Sequence, residues 1–370
     1  MRSAVRSGGA ATIRGVSAAA STSELARLAD ELCDEVLAAH RAAQSAALAS
    51  GSTRALARPV GQGVGDETFA IDAACEAAVD RWFERHARRG PLSVLTEDRG
   101  WRHLGPAAHG VRTLEGFDHG GPRIAIDPVD GTRNVMADLR SAWTVVSACG
   151  AGAGEPRAAD VAHGTLGELP TSNAARARRL WADAGGGAWR NEFEYTTSAR
   201  TAARALRVDA LVEIEGYLPF FRYDLASRRD ATQLETRFLE RLVAHEGANA
   251  RRLFDDQYIC SAGQLVLLAL GTYRMVCDPR ELLARRRGAA ATTSKPYDLA
   301  GALVVAREAG CLLVPLDDTL HVDAGGEPQP FDFQVDAATP VGFVGFHNAA
   351  TARRLLPHLV AVLAEPLRPS

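Results

Sequence analysis

Residues 123–134 read Arg123-Ile-Ala-Ile-Asp127-Pro128-Val129-Asp130-Gly131-Thr132-Arg133-Asn134, and the rest of the chain is arranged around them. Ile124, Ala125 and Ile126 have the composition of a short buried strand. Asp127 and Asp130 follow at its end, and Pro128 and Gly131 turn the chain there. A strand that stops at paired acids and a glycine turn sets those acids at a rim, within reach of a ligand. Two carboxylates so close in a half-buried place repel, and each resists ionising unless a cation neutralises it. The hard cation that takes oxygen ligands is Mg²⁺ or a relative. The Val129 carbonyl, between the acids, is a candidate third oxygen. The amides of Gly131 and Thr132 come next and can face an anion without side-chain obstruction. Each piece alone is also a common surface turn, since Asp-Pro and Asp-Gly favour turns. The string is read as a site because distant parts of the chain complete it.

Composition narrows the field. A length of 370 residues suffices for two domains or one large layered one. A net charge of −3 creates no field that would gather nucleic acid or a membrane surface. The most apolar run, Leu265 to Leu270, is far too short to span a bilayer. Six cysteines (Cys33, Cys75, Cys149, Cys260, Cys277 and Cys311) lie scattered, with no CxxC pair. They fit small buried hydrophobes in a reducing compartment rather than a zinc site or a disulfide framework. The ten histidines form no HExxH pattern. The glycine-rich turn Gly61-Gln-Gly63-Val-Gly65-Asp66 is not a dinucleotide fingerprint, and no Walker pattern occurs. No serine–histidine or cysteine–histidine pairing announces a covalent nucleophile.

Taken in order, residues 1–21 hold Arg2, Arg6 and Arg14, many Ser and Ala, and no acid. They read as a disordered leader, with an organelle transit peptide as the alternative. Helical spacing begins at Ser23, a candidate N-cap, with Leu25, Leu28, Leu32 and Val36. Ala73 to Trp82 reads as a second helix with Asp72 at its start, where an acid also simply complements the helix dipole. Leu92 to Leu95 is a strand that delivers Thr96, Glu97 and Asp98. Residues 99–122 read as a loop or hairpin, and Trp143 to Ala148 as a strand. Residues 196–256 contain an amphipathic helix marked by Leu234, Phe238, Leu239, Leu242 and Val243. The aromatic stretch Tyr217 to Tyr223 before it covers a core or dimer surface or lines the substrate entrance, with core or interface favoured. Ser261-Ala262-Gly263 opens another helix. Thr272 to Cys277 is a strand ending at Asp278. Arg285, Arg286 and Arg287 form a basic run. Tyr297-Asp298 starts the long apolar helix Leu299 to Ala309, and 349–364 is a closing amphipathic helix.

The central string resembles the DPxDGTxN motif of the lithium-sensitive phosphomonoesterases, the superfamily of inositol monophosphatases and fructose-1,6-bisphosphatases. Thr96-Glu97-Asp98 matches its upstream acidic pair, with Asp98 in place of a second glutamate. Tyr297-Asp298-Leu-Ala-Gly301 resembles its WDxAAG motif. The resemblance covers roughly residues 22 to 365. It implies an α/β (α+β) fold, a five-layer α/β/α/β/α sandwich of the sugar phosphatase type. An antiparallel-sheet N-terminal half (22–195, carrying the metal-binding motifs) would precede a mixed-sheet C-terminal half (196–370, with an extended helical insert).

The function implied is Mg²⁺-dependent hydrolysis of a small phosphate ester by a metal-activated water, with two or three Mg²⁺ ions. By resemblance, Glu97, Asp127 and the Val129 carbonyl hold the first ion. Asp127, Asp130 and Asp298 share the second, and Asp72 with Glu97 holds a third. Asp72, Glu97 and Thr132 form the catalytic set, with Thr132 and Asp72 orienting and deprotonating the water. Asp130, Gly131 and Thr132 receive the phosphate, and Ser261 and Lys295 meet the substrate. Inositol phosphatases of this type carry a glutamate seven residues before the aspartate of the WDxAAG motif. Here that position is Ala291, and no acid lies between Glu281 and Asp298. A sugar phosphate or bisphosphate is therefore favoured, with inositol 1-phosphate or a non-catalytic phosphate-ester binder as alternatives. Lithium sensitivity, a homodimer, and a cytoplasmic location (or an organelle, if 1–21 is a transit peptide) complete the expectation. No nucleic-acid or membrane partner is expected.

Overall fold

The computed structural model describes residues 21–62, 67–290, 292–318, 320 and 330–366. The leader expected over 1–21 (apart from Ser21), the tip of the glycine-rich turn at 63–66, and Ala291 lie outside the described residues. Helix α1 (Thr22–Ala49) starts at Ser21, whose hydroxyl accepts from the Glu24 amide at 3.3 Å, two residues ahead of the Ser23 cap expected. Strands β1 (Pro59–Gln62) and β2 (Glu67–Phe69) pair and lead into α2 (Ala70–Ala87). The apolar stripes of α1 and α2, among them Leu25, Leu32, Val36, Ile71 and Trp82, pack together against one face of a large sheet.

That sheet comprises β3 (Leu92–Thr96), β4 (Gly100–Pro106), β5 (Val111–Thr113), β6 (Arg123–Asp130), β7 (Ala142–Cys149), β8 (His163–Leu169), β9 (Arg176–Asp183), β10 (Gly187–Glu194) and β11 (Arg204–Leu206), in the order β11-β10-β9-β8-β7-β6-β3-β4-β5. It runs past residue 195. Strands β3 and β6 are parallel and the other neighbours antiparallel, so the N-terminal sheet is mixed rather than antiparallel. The β4–β5 hairpin returns to the edge, and the chain re-enters beside β3 in the same direction.

A short helix, α3 (Thr132–Val135), follows β6. The second half holds the small parallel pair β12 (Gly216–Tyr217) and β13 (Leu253–Phe254) and the helices α4 (Arg228–Glu246), α5 (Ser261–Ala269), α6 (Arg280–Arg286), α7 (Pro296–Ala309) and α8 (Ala349–Ala364). Strands β14 (Met275–Asp278), β15 (Leu312–Pro315) and β16 (Phe343–Phe346) form an antiparallel sheet in the order β14-β16-β15. On the free side of β14, residues 217–221 run parallel to it, with Tyr217 bridging Tyr273 and Phe220 bridging Cys277, which makes this layer mixed, as expected. Its strands alternate faces: Val276 joins the core with α5 and α7, while Met275 and Cys277 join the core with α4 and α8. The layers are α1/α2, the large sheet, α5/α7, the small sheet and α4/α8, which is the five-layer sandwich expected.

Helix α7 packs on the large sheet through an apolar core that includes Leu303, Leu166 and Leu180, but at one crossing it meets the sheet backbone to backbone. A Cβ on Gly301 would sit 2.4 Å from the Val146 carbonyl oxygen of β7, and one on Gly164 of β8 would sit 2.3 Å from the Gly301 carbonyl. Backbone blocks backbone at both points, so neither neighbour can yield cheaply. The contact fixes how far the start of α7, and with it Asp298, stands from the end of β6. Gly301→Ala is expected to destabilise the fold by about 2–3 kcal/mol, measured as a lowered midpoint in urea unfolding followed by circular dichroism. An unchanged midpoint would show that the helix can lift away freely.

Candidate active site

Strand β6 ends in a bulge. Asp127 pairs with Val145 and Asp130 with Trp143, so three steps on β6 oppose two on β7. In an unbroken strand, residues three apart point to opposite faces; the extra residue puts both acids on one face. Pro128, which has no amide hydrogen to lose, sits in the bulge. Its carbonyl accepts from Thr144 Oγ1 at 3.0 Å, and the Val129 amide donates to Asp127 Oδ1 at 2.9 Å. Gly131 turns the chain into α3 with φ of 95°, and a Cβ there would stand 2.9 Å from Cys260 Cβ.

Two further acids reach the same cavity, of about 420 Å³, from helix starts, and Glu97 reaches it from the end of β3. Asp72, in the first turn of α2, accepts from the Phe69 amide (2.9 Å) and from Thr132 Oγ1 (2.7 Å). Asp298 occupies the equivalent place in α7: Oδ2 accepts from the Lys295 amide at 2.9 Å, while Oδ1 is buried without a hydrogen-bond partner. Asp130 points at the start of α5, where Oδ1 accepts from the Ser261 amide (3.2 Å) and Oδ2 from the Ala262 amide (2.6 Å) and the Cys260 thiol (3.2 Å). Amide donors at helix starts hold carboxylates well. Glu97, just past β3, lines the cavity and hydrogen-bonds the Tyr297 hydroxyl.

The cost of this assembly appears in the proton affinities. Burial pushes Asp72 up to about 6 and Asp130 to about 6, the latter against the pull of the α5 amides. Burial, followed by the charges of Asp298, Asp130 and Glu97, raises Asp127 well above the usual carboxylate range. Burial, Asp130 and Glu97 do the same to Asp298. Glu76, in a small adjoining hollow with Asp98, is pushed up to about 7, chiefly by burial and then by Asp98. Among the described residues, no three His, Cys, Asp or Glu side chains close around one point as a ready-made metal site. The backbone bonds above hold these acids apart while they repel. The donor set nevertheless suits a hard divalent cation: its atoms are oxygens, and the unpartnered Asp298 Oδ1 is an acceptor that burial leaves to be satisfied.

The structure thus brings Asp72, Glu97, Asp127, Val129, Asp130, Gly131, Thr132, Ser261, Lys295 and Asp298 to one cavity. Two of them have side chains already engaged within the protein. The Ser261 hydroxyl is bonded to Ser294 Oγ at 2.6 Å, so its amide, not its side chain, reaches the acid cluster. The Lys295 ammonium donates to the Ala338 carbonyl at 2.9 Å. The run Arg285 to Arg287 does not line the cavity. Arg285 and Arg286 pair with Asp318, and Arg287 with Asp230, on the outside of α6. The arginines that line it are Arg133 and Arg280, the latter fully buried against Asp278. Phe221, Tyr223 and Asp224 also line it, so the aromatic stretch divides: Phe220 joins the core with α4 and α8, and its neighbours reach the site. The sequence favours core or interface for this stretch over a place at the substrate entrance, and it does not single out Asp224 or Arg280. Alternation along Phe220-Phe221 after a proline, beside the strand-end acid Asp278, was the available signal.

No protein-family model matches the chain, and no curated protein matches it. Solved structures do. A gene product described as inositol monophosphatase–fructose 1,6-bisphosphatase aligns with a TM-score of 0.53 and 14% identity over 93% of this chain and 100% of that one. Inositol monophosphatase II from Staphylococcus aureus gives 0.53 and 15% over 92% and 96%. The extragenic suppressor protein SuhB from Bartonella henselae gives 0.53 and 14% over 92% and 98%. What is shared at this identity is the fold. The resemblance drawn from the three motifs is borne out at that level.

Acids whose folded pKa lies above the unfolded value of about 4 bind extra protons in the folded state, so they lower stability as pH rises through that window. Asp298→Asn removes one such acid. In chelator, the variant is expected to gain stability relative to the parent between pH 4.5 and 7.5, read as the difference in thermal midpoints. A difference that stays flat or shrinks would contradict the crowding of charge inferred here.

Proposed function

We propose that this protein is a Mg²⁺-dependent phosphomonoesterase acting on a small phosphate ester, with a sugar phosphate or bisphosphate favoured. One observation carries the reading: Glu97, Asp127, Asp130 and Asp298 converge with the Val129 carbonyl at element ends, in a buried place that four negative charges cannot occupy unaided. Glu97, Asp127 and Val129 would hold one ion, Asp127, Asp130 and Asp298 a second, and Asp72 with Glu97 a third. Such ions, when bound, lower the pKa of a water and stabilise the leaving oxygen.

The chain's own residues supply the rest. Thr132 Oγ1 lies 2.7 Å from Asp72 Oδ1 and 2.9 Å from the Val129 carbonyl, and its one hydrogen cannot serve both fully. With the carbonyl engaged elsewhere, Thr132 donates to Asp72 and keeps a lone pair to orient the attacking water. Asp72, on the other side of Thr132, would take the proton of that water. The amides of Gly131 and Thr132 would take the phosphoryl oxygens. Arg133 and Lys295 on the cavity wall favour further negative charge on the substrate. The fold shared with the inositol monophosphatases supports the class of reaction.

Turnover is expected to vanish in EDTA and return with Mg²⁺, with inhibition by Li⁺ at millimolar levels. Asp130→Asn and Asp298→Asn should each cost on the order of 10²-fold or more in kcat. Fructose 1,6-bisphosphate should exceed inositol 1-phosphate in kcat/KM. Full activity in chelator, or near-normal rates in either variant, would refute the assignment.

A further inference from the structure

The long segment between β11 and α4 has no role in the scheme above, yet it supplies one wall of the cavity through Phe221, Tyr223 and Asp224. This wall is pinned at each residue. The Phe221 amide donates to the Cys277 carbonyl at 2.8 Å, beside the end of β14. The Arg222 amide donates to Gln257 Oε1 at 3.0 Å, and Arg228 holds the Tyr223 carbonyl at 3.0 Å. Asp224 accepts from the Ser227 amide (3.0 Å) and hydroxyl (2.9 Å), both on Oδ2.

Behind the wall stands Arg280. Its Nε and Nη2 grip the two oxygens of Asp278 at 2.8 and 2.7 Å, and Nη1 donates to the Thr292 carbonyl at 2.5 Å. Its guanidinium carbon lies 4.5 Å from the Phe221 ring centre and 4.4 Å from that of Tyr223. Both partners of this ion pair are buried, and a buried pair adds little stability that apolar side chains would not. What it does supply is position: the planar fork fixes the guanidinium, and the guanidinium fixes two rings at the cavity edge. The pair also consumes Asp278, so that acid is closed to a ligand. Both donors of Ser227 go to Asp224 Oδ2, which leaves Asp224 Oδ1 as a carboxylate acceptor on this wall.

We propose that Phe221, Tyr223 and Asp224 form the leaving-group wall of the site, built for a hydroxylated ring of the sugar class. The ring's C–H face rests on the aromatic pair, and its hydroxyls donate to Asp224. Arg280 is a positioning residue that holds the rings in place. This rests on the phosphomonoesterase reading and assigns the half of the cavity that reading leaves open.

The test compares two substrates in Mg²⁺ for the parent, Asp224→Ala, Tyr223→Ala and Arg280→Met. One is fructose 1,6-bisphosphate; the other is p-nitrophenyl phosphate, whose leaving group carries no ring hydroxyls. The parent should prefer the sugar ester. Asp224→Ala should raise KM for it roughly tenfold or more while leaving p-nitrophenyl phosphate little changed. Tyr223→Ala and Arg280→Met should lose the same preference, with kcat less affected than KM. Should Arg280→Met fail to fold, the other two variants decide. Equal losses on both substrates, or a preference that survives all variants, would overturn the wall. So would a parent that hydrolyses p-nitrophenyl phosphate without preferring the sugar ester, and the phosphatase reading would then stand alone. Turnover of neither substrate would mean that the phosphatase reading itself has failed.

Discussion

The site depends on one extra residue in β6. Asp127 and Asp130 are three apart, a spacing that in a regular strand sends one acid into the layer of α1 and α2 and the other into the layer of α5 and α7. The bulge at Pro128–Val129 turns both to one side and leaves the Val129 carbonyl among them. A bulge breaks ladder hydrogen bonds, and here local replacements offset the loss: Thr144 takes the Pro128 carbonyl, and Asp127 takes the Val129 amide. The acid that needs the irregular backbone is also the acid that satisfies it.

Gathering the remaining acids is a matter of helix placement. Asp72, Asp130 and Asp298 each meet backbone amides at a helix start, on α2, α5 and α7. Those dipoles offset part of the repulsion, but not all of it, since the acids remain hard to ionise. The fold must therefore hold the helices against a force that would separate them. The bare contact of Gly301 with Val146 and Gly164 does this for α7, because a crossing made backbone to backbone has no side chain through which to relax. Stability elsewhere, in the three apolar cores, offsets the strain concentrated at the cavity.

Much of this was legible locally. The closing helix was read over 349–364 and is found there, because its apolar period, its Asn348 cap and its length agree. The acids at element ends were legible because strand end, acid and glycine turn are adjacent in sequence. What failed was non-local. Arg285 to Arg287, a basic run of the kind that forms a solvated face, do follow the outer face of α6 and meet Asp318 and Asp230, so the charge they would have lent the site is absent from it. Arg280, five residues earlier, is directed inward by Asp278 across a single intervening residue and by two rings some sixty positions upstream. Nothing in a window around residue 280 announces those rings. The mixed large sheet was equally hidden, since parallel pairing of β3 with β6 depends on where the β4–β5 hairpin folds back.

The two halves of the cavity differ in kind. On one side, Asp72, Asp127, Asp130 and Asp298 each accept from a backbone amide, so their side chains have little freedom. On the opposite side, two rings and one acid come from the segment between β11 and α4, and a buried arginine from the start of α6. Such a separation lets the leaving-group wall change without disturbing the acids, because the two sides are joined mainly at Ser294, whose hydroxyl contacts Asp278 on one hand and Ser261 on the other. Ser261 in turn presents its amide to Asp130. A change of leaving-group wall that kept Asp278, Arg280 and Ser294 would therefore leave Asp130 where it stands, whereas one that removed them would reach the acid cluster through three hydrogen bonds.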